Sequence, residues 1–435
     1  MRDTGEIAPA ALALHWAEGA LQGLLADVAL ALGLDEVQAH LHNLLIYGPG
    51  QFFKPHQDTE KHPGMVATLV LVWPSAHIGG ALRVVHGADE GRLQSHHLQV
   101  DSLRWCAFYA DCQHEVLPVQ EGWRVALTFD LVLPAQAARP AVPARLQTAL
   151  EHALRQQFAL DGDTPGMAPW VLLLDHEYTE HGLRWPLLKG DDRWRVAALR
   201  AAAEALGLRL HLALAELHQT WSAEPAPRSR WSRHGDEDDP QRGELIDESL
   251  SLDFWVDEHD QVGPRSSLSV RLDDTTSFTE TGEDYLVNEE FEGYMGNYGD
   301  TLDYWYRRAA LVIQSPLAVE RDRFALDFDA ALADLQRLAR LPEESATLAG
   351  RVQVAARTLA GQVSARGRTL LDAYAEIAAA LPNSEAATAL LAGFDPSGFL
   401  PEDAAVLARL QHARGTLWLR TVLQRWNDPQ ARRFA

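Results

Sequence analysis

The stretch Lys-Pro-His-Gln-Asp at residues 54–58 sets His56 two positions ahead of Asp58. On an extended backbone, residues i and i+2 leave the same face, so this imidazole and carboxylate can reach one ion. Together they are two thirds of the facial triad that holds non-haem Fe(II) with positions left open for substrate and oxygen. The third ligand must be a histidine on another strand. His114, in Tyr-Ala-Asp-Cys-Gln-His, is the best placed, fifty-six residues beyond Asp58, a distance that several antiparallel strands fold back on themselves. Ten residues further, Arg124 lies in Trp-Arg-Val-Ala-Leu-Thr-Phe. A guanidinium there suits the far carboxylate of a dicarboxylic co-substrate, which it can clamp with two parallel charge-assisted bonds. Tyr47, in Leu-Leu-Ile-Tyr-Gly-Pro-Gly, can add a hydroxyl to the same carboxylate, and Thr68 is expected to reach the co-substrate. A lone His-x-Asp pair among eighteen histidines is more often a solvated loop than a ligand pair, so the ordered set carries the reading.

Other residues have quieter expected roles. His62 belongs to a turn, His77 borders substrate, and His96 and His97 sit between short strands. Gly79 and Gly80 permit a turn and close strand approach. Leu71 and Trp73 are core positions, as is Cys106, while Cys112, two residues from a proposed ligand, is open to oxidation during uncoupled turnover.

The elements that must position this set change period along the chain. An Ala- and Leu-rich stretch from Ala8 to about Leu34 predicts an N-terminal helix. From Leu41, short runs such as LHNLLIYG, MVATLVLVW, GALRVVHG, HHLQVD, LRWCAFYAD and WRVALTFDLVL alternate with Gly- and Pro-bearing turns. That pattern predicts an antiparallel barrel or sandwich ending near residue 134. Residues 135–314 read as an α+β accessory domain, and residues 315–435 as a helical domain with short Pro, Gly and Ser turns.

Composition sets limits on the chemistry. Two cysteines cannot build a disulfide framework, a Cys-rich zinc site or an iron–sulfur cluster. The N-terminal stretch, interrupted by His15, Glu18, Gln22 and Asp27, does not read as a signal peptide, and no long apolar run predicts a membrane span; a soluble, cytoplasmic protein is expected. A formal charge of −23 argues against a nucleic-acid partner. The acid is concentrated: residues 231–310 hold 21 Asp and Glu against 6 basic residues, which suggests either a solvated face or recruitment of a basic protein or peptide substrate.

In order and spacing, YGPGQFFKPHQD, the strands through LVWPSAHIGGALRV, FYADCQHEV and EGWRVALTF resemble the Fe(II)/2-oxoglutarate-dependent oxygenases, specifically the prolyl 4-hydroxylase-like branch. The resemblance covers residues 35–134 and implies a double-stranded β-helix (jelly-roll, cupin-like) core within an α+β chain. It implies that His56, Asp58 and His114 hold Fe(II) and that Arg124 fixes 2-oxoglutarate. With O2, and ascorbate as a stimulant, the reaction hydroxylates a C–H bond and yields succinate and CO2. A protein or peptide side chain is the expected substrate, with a free amino acid or other small molecule as the alternative.

Residues 170–314 partly echo the first region, with Asn297 or Gly299 near the place of a distal histidine and Arg308 near that of the arginine. This is compatible with a degenerate second β-helix, or with an unrelated α+β domain. His176 with Glu177, and Glu216 with His218, are alternative metal pairs lacking a third ligand and an arginine. A metal-dependent hydrolase or isomerase of cupin type, and a non-catalytic binding protein, are the competing functional classes.

Overall fold

The computed structural model describes residues 2–95, 103–134, 139–160, 166, 168–224, 240–263, 267–292 and 300–426. The chain opens with two short strands, β1 (Arg2–Asp3) and β2 (Gly5–Ile7), and one helix, α1 (Ala20–Ala31). Ten strands follow: β3 (Gln38–Tyr47), β4 (Phe52–His56), β5 (Met65–Val72), β6 (His77–Gly79), β7 (Leu82–His86), β8 (Asp89–Leu93), β9 (Arg104–Tyr109), β10 (Gln113–Val116), β11 (Val119–Gly122) and β12 (Arg124–Val132). They form two five-stranded antiparallel sheets, in the orders β2-β3-β12-β5-β9 and β1-β4-β10-β7-β8, while β11 pairs with β6.

The N-terminal helix is shorter than expected. Leu12, Leu14 and Trp16 pack against the sheet core at a spacing of two, the period of extended chain, and Gly19 takes a left-handed φ of 73° just before α1. Strand β5 lies between β12 and β9 and is buried along its whole length, and apart from Thr68 its residues are apolar. Trp73, expected in the core, falls beyond the end of β5 and is half exposed. On β12, Leu127, Phe129 and Leu131 join α1 residues Val28 and Ala29 in one apolar core, and the Trp16 ring lies 6.5 Å from Phe129. Arg124, Ala126, Thr128 and Asp130 alternate with them and line a cavity.

After α2 (Ala144–Gln157) come β13 (Trp170–Leu173), α3 (Gly190–Ala205), β14 (Arg209–Glu224), β15 (Gln241–Val256), β16 (Leu268–Val270), β17 (Thr275–Ser277), β18 (Leu286–Glu292) and β19 (Thr301–Gln314). Their strands make one sheet, ordered β16-β15-β14-β19-β13-β17 with β18 on β19, in which only the β13–β17 pair is parallel among the described pairings. One mixed sheet with a helix is α+β organisation; no second facing sheet is present among the described residues. Asn297 and Gly299 lie outside the described residues, as do His96, His97 and the HHLQVD run.

The helices α4 (Pro316–Leu326), α5 (Phe328–Ala339), α6 (Ser345–Arg366), α7 (Leu371–Ala380), α8 (Ser384–Leu390), α9 (Ala404–Arg414) and α10 (Thr416–Trp426) enclose their own core around Leu335, Leu359, Tyr374, Phe394 and Trp426. Ser315, Asp327 and Asn383 cap α4, α5 and α8 by accepting from backbone N–H groups. Among the described residues no helix is long and apolar enough to cross a membrane. The chain divides into two compact units: residues 1–154, 169–206 and 210–313, and residues 155–168, 207–209 and 314–435. The boundary expected at residue 134 therefore falls inside the first unit.

Candidate metal centre

His56 ends β4 and His114 lies on β10, and the two strands pair so that these histidines are directly opposite, ring centroids 4.2 Å apart. Each ring has its Nδ1 next to a nearby carbonyl, His56 at 2.8 Å from Lys54 O and His114 at 3.2 Å from Cys112 O. A carbonyl only accepts, so Nδ1 donates and the Nε2 lone pair is left for a ligand. Asp58 is fixed twice: its N–H donates to Ala110 O at 3.1 Å, and Thr68 Oγ1 donates to its Oδ2 at 2.6 Å. His114 Nε2 stands 3.8 Å from that Oδ2. One ligand atom from each of His56, Asp58 and His114 lies within 4.8 Å of the others. Burial pushes the His114 imidazole below its usual pKa and outweighs the pull of Asp58, which favours the neutral form that ligates metal.

The cavity beside this group has a volume of about 310 Å³. At one end sits Arg124, 1% exposed, with Nε and Nη2 lacking any hydrogen-bond partner. Burial drives its pKa down to about 10. The Tyr47 ring, its register partner on β3, faces the guanidinium with 5.5 Å from Cζ to the ring centroid. A buried guanidinium with two unused donors is costly unless an anion takes them. A dicarboxylate bound to Arg124 and to the His-Asp-His group fits both the donor set and the space.

Thr68, expected to reach the co-substrate, lines the cavity and spends its hydroxyl on Asp58. Gly79 and Gly80 have φ of 80° and 67°, and Gly80 packs on Arg124. His77, expected at the substrate border, is buried between Ser75 O and Ser95 Oγ, at 2.8 and 3.0 Å, and does not line the cavity. The Cys112 thiol is buried and pushed up to about 12, which disfavours the reactive thiolate; Cys106 is only partly buried.

The sequence reading missed a second His-Asp-His group, His86, Asp111 and His176. Its carboxylate is already engaged: Lys189 Nζ donates to Asp111 Oδ1 at 3.0 Å, and the Glu177 N–H to Oδ2 at 3.0 Å, with His176 Nδ1 2.9 Å from that same oxygen. This is a buried charge cluster rather than an open site. Gln57, between His56 and Asp58, donates to Asp111 O and to Glu177 Oε1, and so ties that segment to the same cluster. His176 thus pairs with Asp111 rather than forming a site with Glu177. His218 bonds Asp303 at 2.9 Å, and Glu216 lies 3.7 Å from Arg307. Arg308 has none of the freedom of Arg124, since its donors reach Leu174 O, Ser277, Thr279 and Thr281. Asp130, Lys61, His42 and Asn43 also line the cavity. The alternation from Arg124 through Thr128 is the signal that would have found Asp130.

Residues 42–129 match the family described as the 2OG-Fe(II) oxygenase superfamily. That match supports a 2-oxoglutarate-dependent hydroxylase, and the matched family's requirements are Fe(II), 2-oxoglutarate and O2. Among curated proteins no sequence matches. Similar solved structures include a prolyl-4-hydroxylase from Pseudomonas putida, 23% identical over 31% of this chain and 73% of that one, with a TM-score of 0.22. Another is a viral collagen prolyl hydroxylase from Paramecium Bursaria Chlorella virus-1 in its 2OG complex, 14% identical over 31% and 80%, with a TM-score of 0.23. A third, from Trichoplax adhaerens, is a prolyl hydroxylase with a hypoxia inducible factor peptide fragment, 15% identical over 30% and 70%, with a TM-score of 0.21.

Proposed function

We propose that His56, Asp58 and His114 hold Fe(II), that Arg124 fixes the far carboxylate of 2-oxoglutarate with Tyr47 beside it, and that the two five-stranded sheets are the halves of a double-stranded β-helix. The carrying observation is Arg124, buried with two unused donors in the cavity that the His-Asp-His group also lines. Bound iron supplies O2 activation. The chain's own part is positional: Lys54 O and Cys112 O set the tautomers of His56 and His114, and Thr68 orients the Asp58 carboxylate. Sheet walls of Val70, Leu82 and Val116 limit bulk water. The balanced reaction takes a C–H bond, 2-oxoglutarate and O2 to the alcohol, succinate and CO2.

A basic protein or peptide is the substrate class that the chain's charge favours. Exposed Glu289, Glu290 and Glu292 on β18, with Glu244 and Asp247 on β15, supply negative surface. Asp236, Glu237, Asp238 and Asp239 lie outside the described residues. The test is to incubate iron-loaded protein with 2-oxoglutarate, O2 and cell extract. A +16 Da product with matching succinate, both absent with His56→Ala, supports this function; 2-oxoglutarate consumption equal in wild type and variant refutes it.

A further inference from the structure

The cavity has a second pole that neither iron nor 2-oxoglutarate accounts for. Asp130 lies on the same face of β12 as Arg124, six residues on, or roughly 20 Å along an extended strand. Across the sheet its register partner is Thr68, whose hydroxyl holds Asp58, so the metal group borders the Asp130 end. The Asp130 side chain is 2% exposed, and its Oδ2 has no hydrogen-bond partner.

Nearby positive charge does not complete it. Lys61 Nζ stands 3.8 Å from Asp130 Oδ1 and 4.0 Å from Asp58 Oδ1, so one ammonium is shared by two carboxylates, and it hydrogen-bonds instead to His42 Nε2 at 3.1 Å. His42 Nδ1 and His62 Nε2 approach Oδ2 at 3.8 and 3.4 Å without bonding it. Burial and Lys61 hold the His42 imidazole below its usual pKa, so it adds no charge near neutral pH. Lys61, His42 and His62 are one third to one half exposed and form a rim, with Asp130 beneath them. A buried carboxylate oxygen that no hydrogen-bond donor reaches is costly, and a cationic donor from outside relieves that cost better than a neutral one, since charge-assisted bonds are about twice as strong.

Resting on the oxygenase reading of this cavity, we infer that Asp130 is the specificity-determining contact for a cationic group of the substrate, an ammonium or a guanidinium, which it seats beside the metal centre on the side away from Arg124. The group can come from a free amino acid or from a Lys or Arg side chain in a peptide. Arg124 and Asp130 then divide the cavity by charge, anionic co-substrate at one pole and cationic substrate at the other.

Calorimetric titration of the full chain, metal-free and again with Co(II) and 2-oxoglutarate, tests this with matched probes. One arm uses L-lysine and L-arginine against L-norleucine and L-citrulline. The other uses the pentapeptides Gly-Gly-Lys-Gly-Gly and Gly-Gly-Arg-Gly-Gly against the same neutral replacements. In at least one arm the cationic members should bind about tenfold or more tightly than the neutral ones, and Asp130→Asn should abolish that preference. The arm that responds identifies the source of the cation. Equal binding of charged and neutral probes by wild type in both arms, including no binding, overturns the inference, and needs no variant to fold. A preference kept intact by Asp130→Asn overturns it too. A preference lost in the variant while the wild type forms no succinate from 2-oxoglutarate would uphold the subsite and refute the oxygenase reading instead.

Discussion

Gly80 packs so closely on Arg124 that a Cβ added to the glycine would lie 2.8 Å from Cδ of the arginine. The same glycine holds a φ of 67°, where a side chain is strained, so the position is closed to other residues on two counts. Gly80→Ala should displace the guanidinium and raise the 2-oxoglutarate requirement by roughly tenfold, with Fe(II) binding retained. Succinate formation titrated with 2-oxoglutarate, beside an anaerobic iron titration, measures both. An unchanged requirement would show that the guanidinium is not held by this contact.

Arg124→Lys tests the clamp itself. A single ammonium replaces a planar fork, which forfeits a charge-assisted hydrogen bond worth about 1.5–3 kcal/mol, or about tenfold to more than a hundredfold in co-substrate affinity. Equilibrium titration of 2-oxoglutarate reads the effect directly. Equal affinity in the variant removes Arg124 from that role.

Asp111, between β9 and β10, joins strand ends of the two five-stranded sheets to residues 176–189 through Lys189, His176 and His86. Burial disfavours its charge, but Lys189 and then His176 hold the carboxyl well below its usual range. Lys189→Met should leave that carboxylate uncompensated and cost about 3–5 kcal/mol, visible in urea unfolding. The Asp111 carboxylate, 3.6 Å from His86 Nε2, raises the His86 pKa above its usual value despite burial. A raised histidine contributes stability that is fully present below its unfolded value and is lost as pH rises through the folded value. The stability difference between wild type and His86→Gln should therefore be largest below pH 6.5 and shrink above neutrality. A difference that grows with pH would contradict the assignment.

The grouping of His56, Asp58 and His114 was legible in the order of the motifs, although Asp58 lies two residues past the end of β4 and is held by Ala110 O and Thr68 rather than by strand pairing. The alternating short runs likewise announced an antiparallel fold. The N-terminal helix was overread: Leu12, Leu14 and Trp16 have a spacing that suits a strand, yet Ala-rich composition dominated the local signal. Asp130 and the Asp111 cluster were hidden for a different reason. Their meaning lies in contacts across 62 to 78 residues, from Thr68 to Asp130 and from Asp111 to Lys189, which no local period records. Arg308 resembled Arg124 in its strand context, and only its saturated hydrogen bonds separate the two.

The most direct test of the central claim is an anaerobic Fe(II) titration of wild type and His114→Ala, with circular dichroism confirming that the variant is folded. One iron per wild-type chain, and at least tenfold weaker binding by the folded variant, is the predicted result, since removing a metal ligand should cost no less than the 10- to 100-fold typical of an outer-shell partner. Equal stoichiometry and affinity in the two proteins would contradict the assignment of His56, Asp58 and His114 as the metal centre.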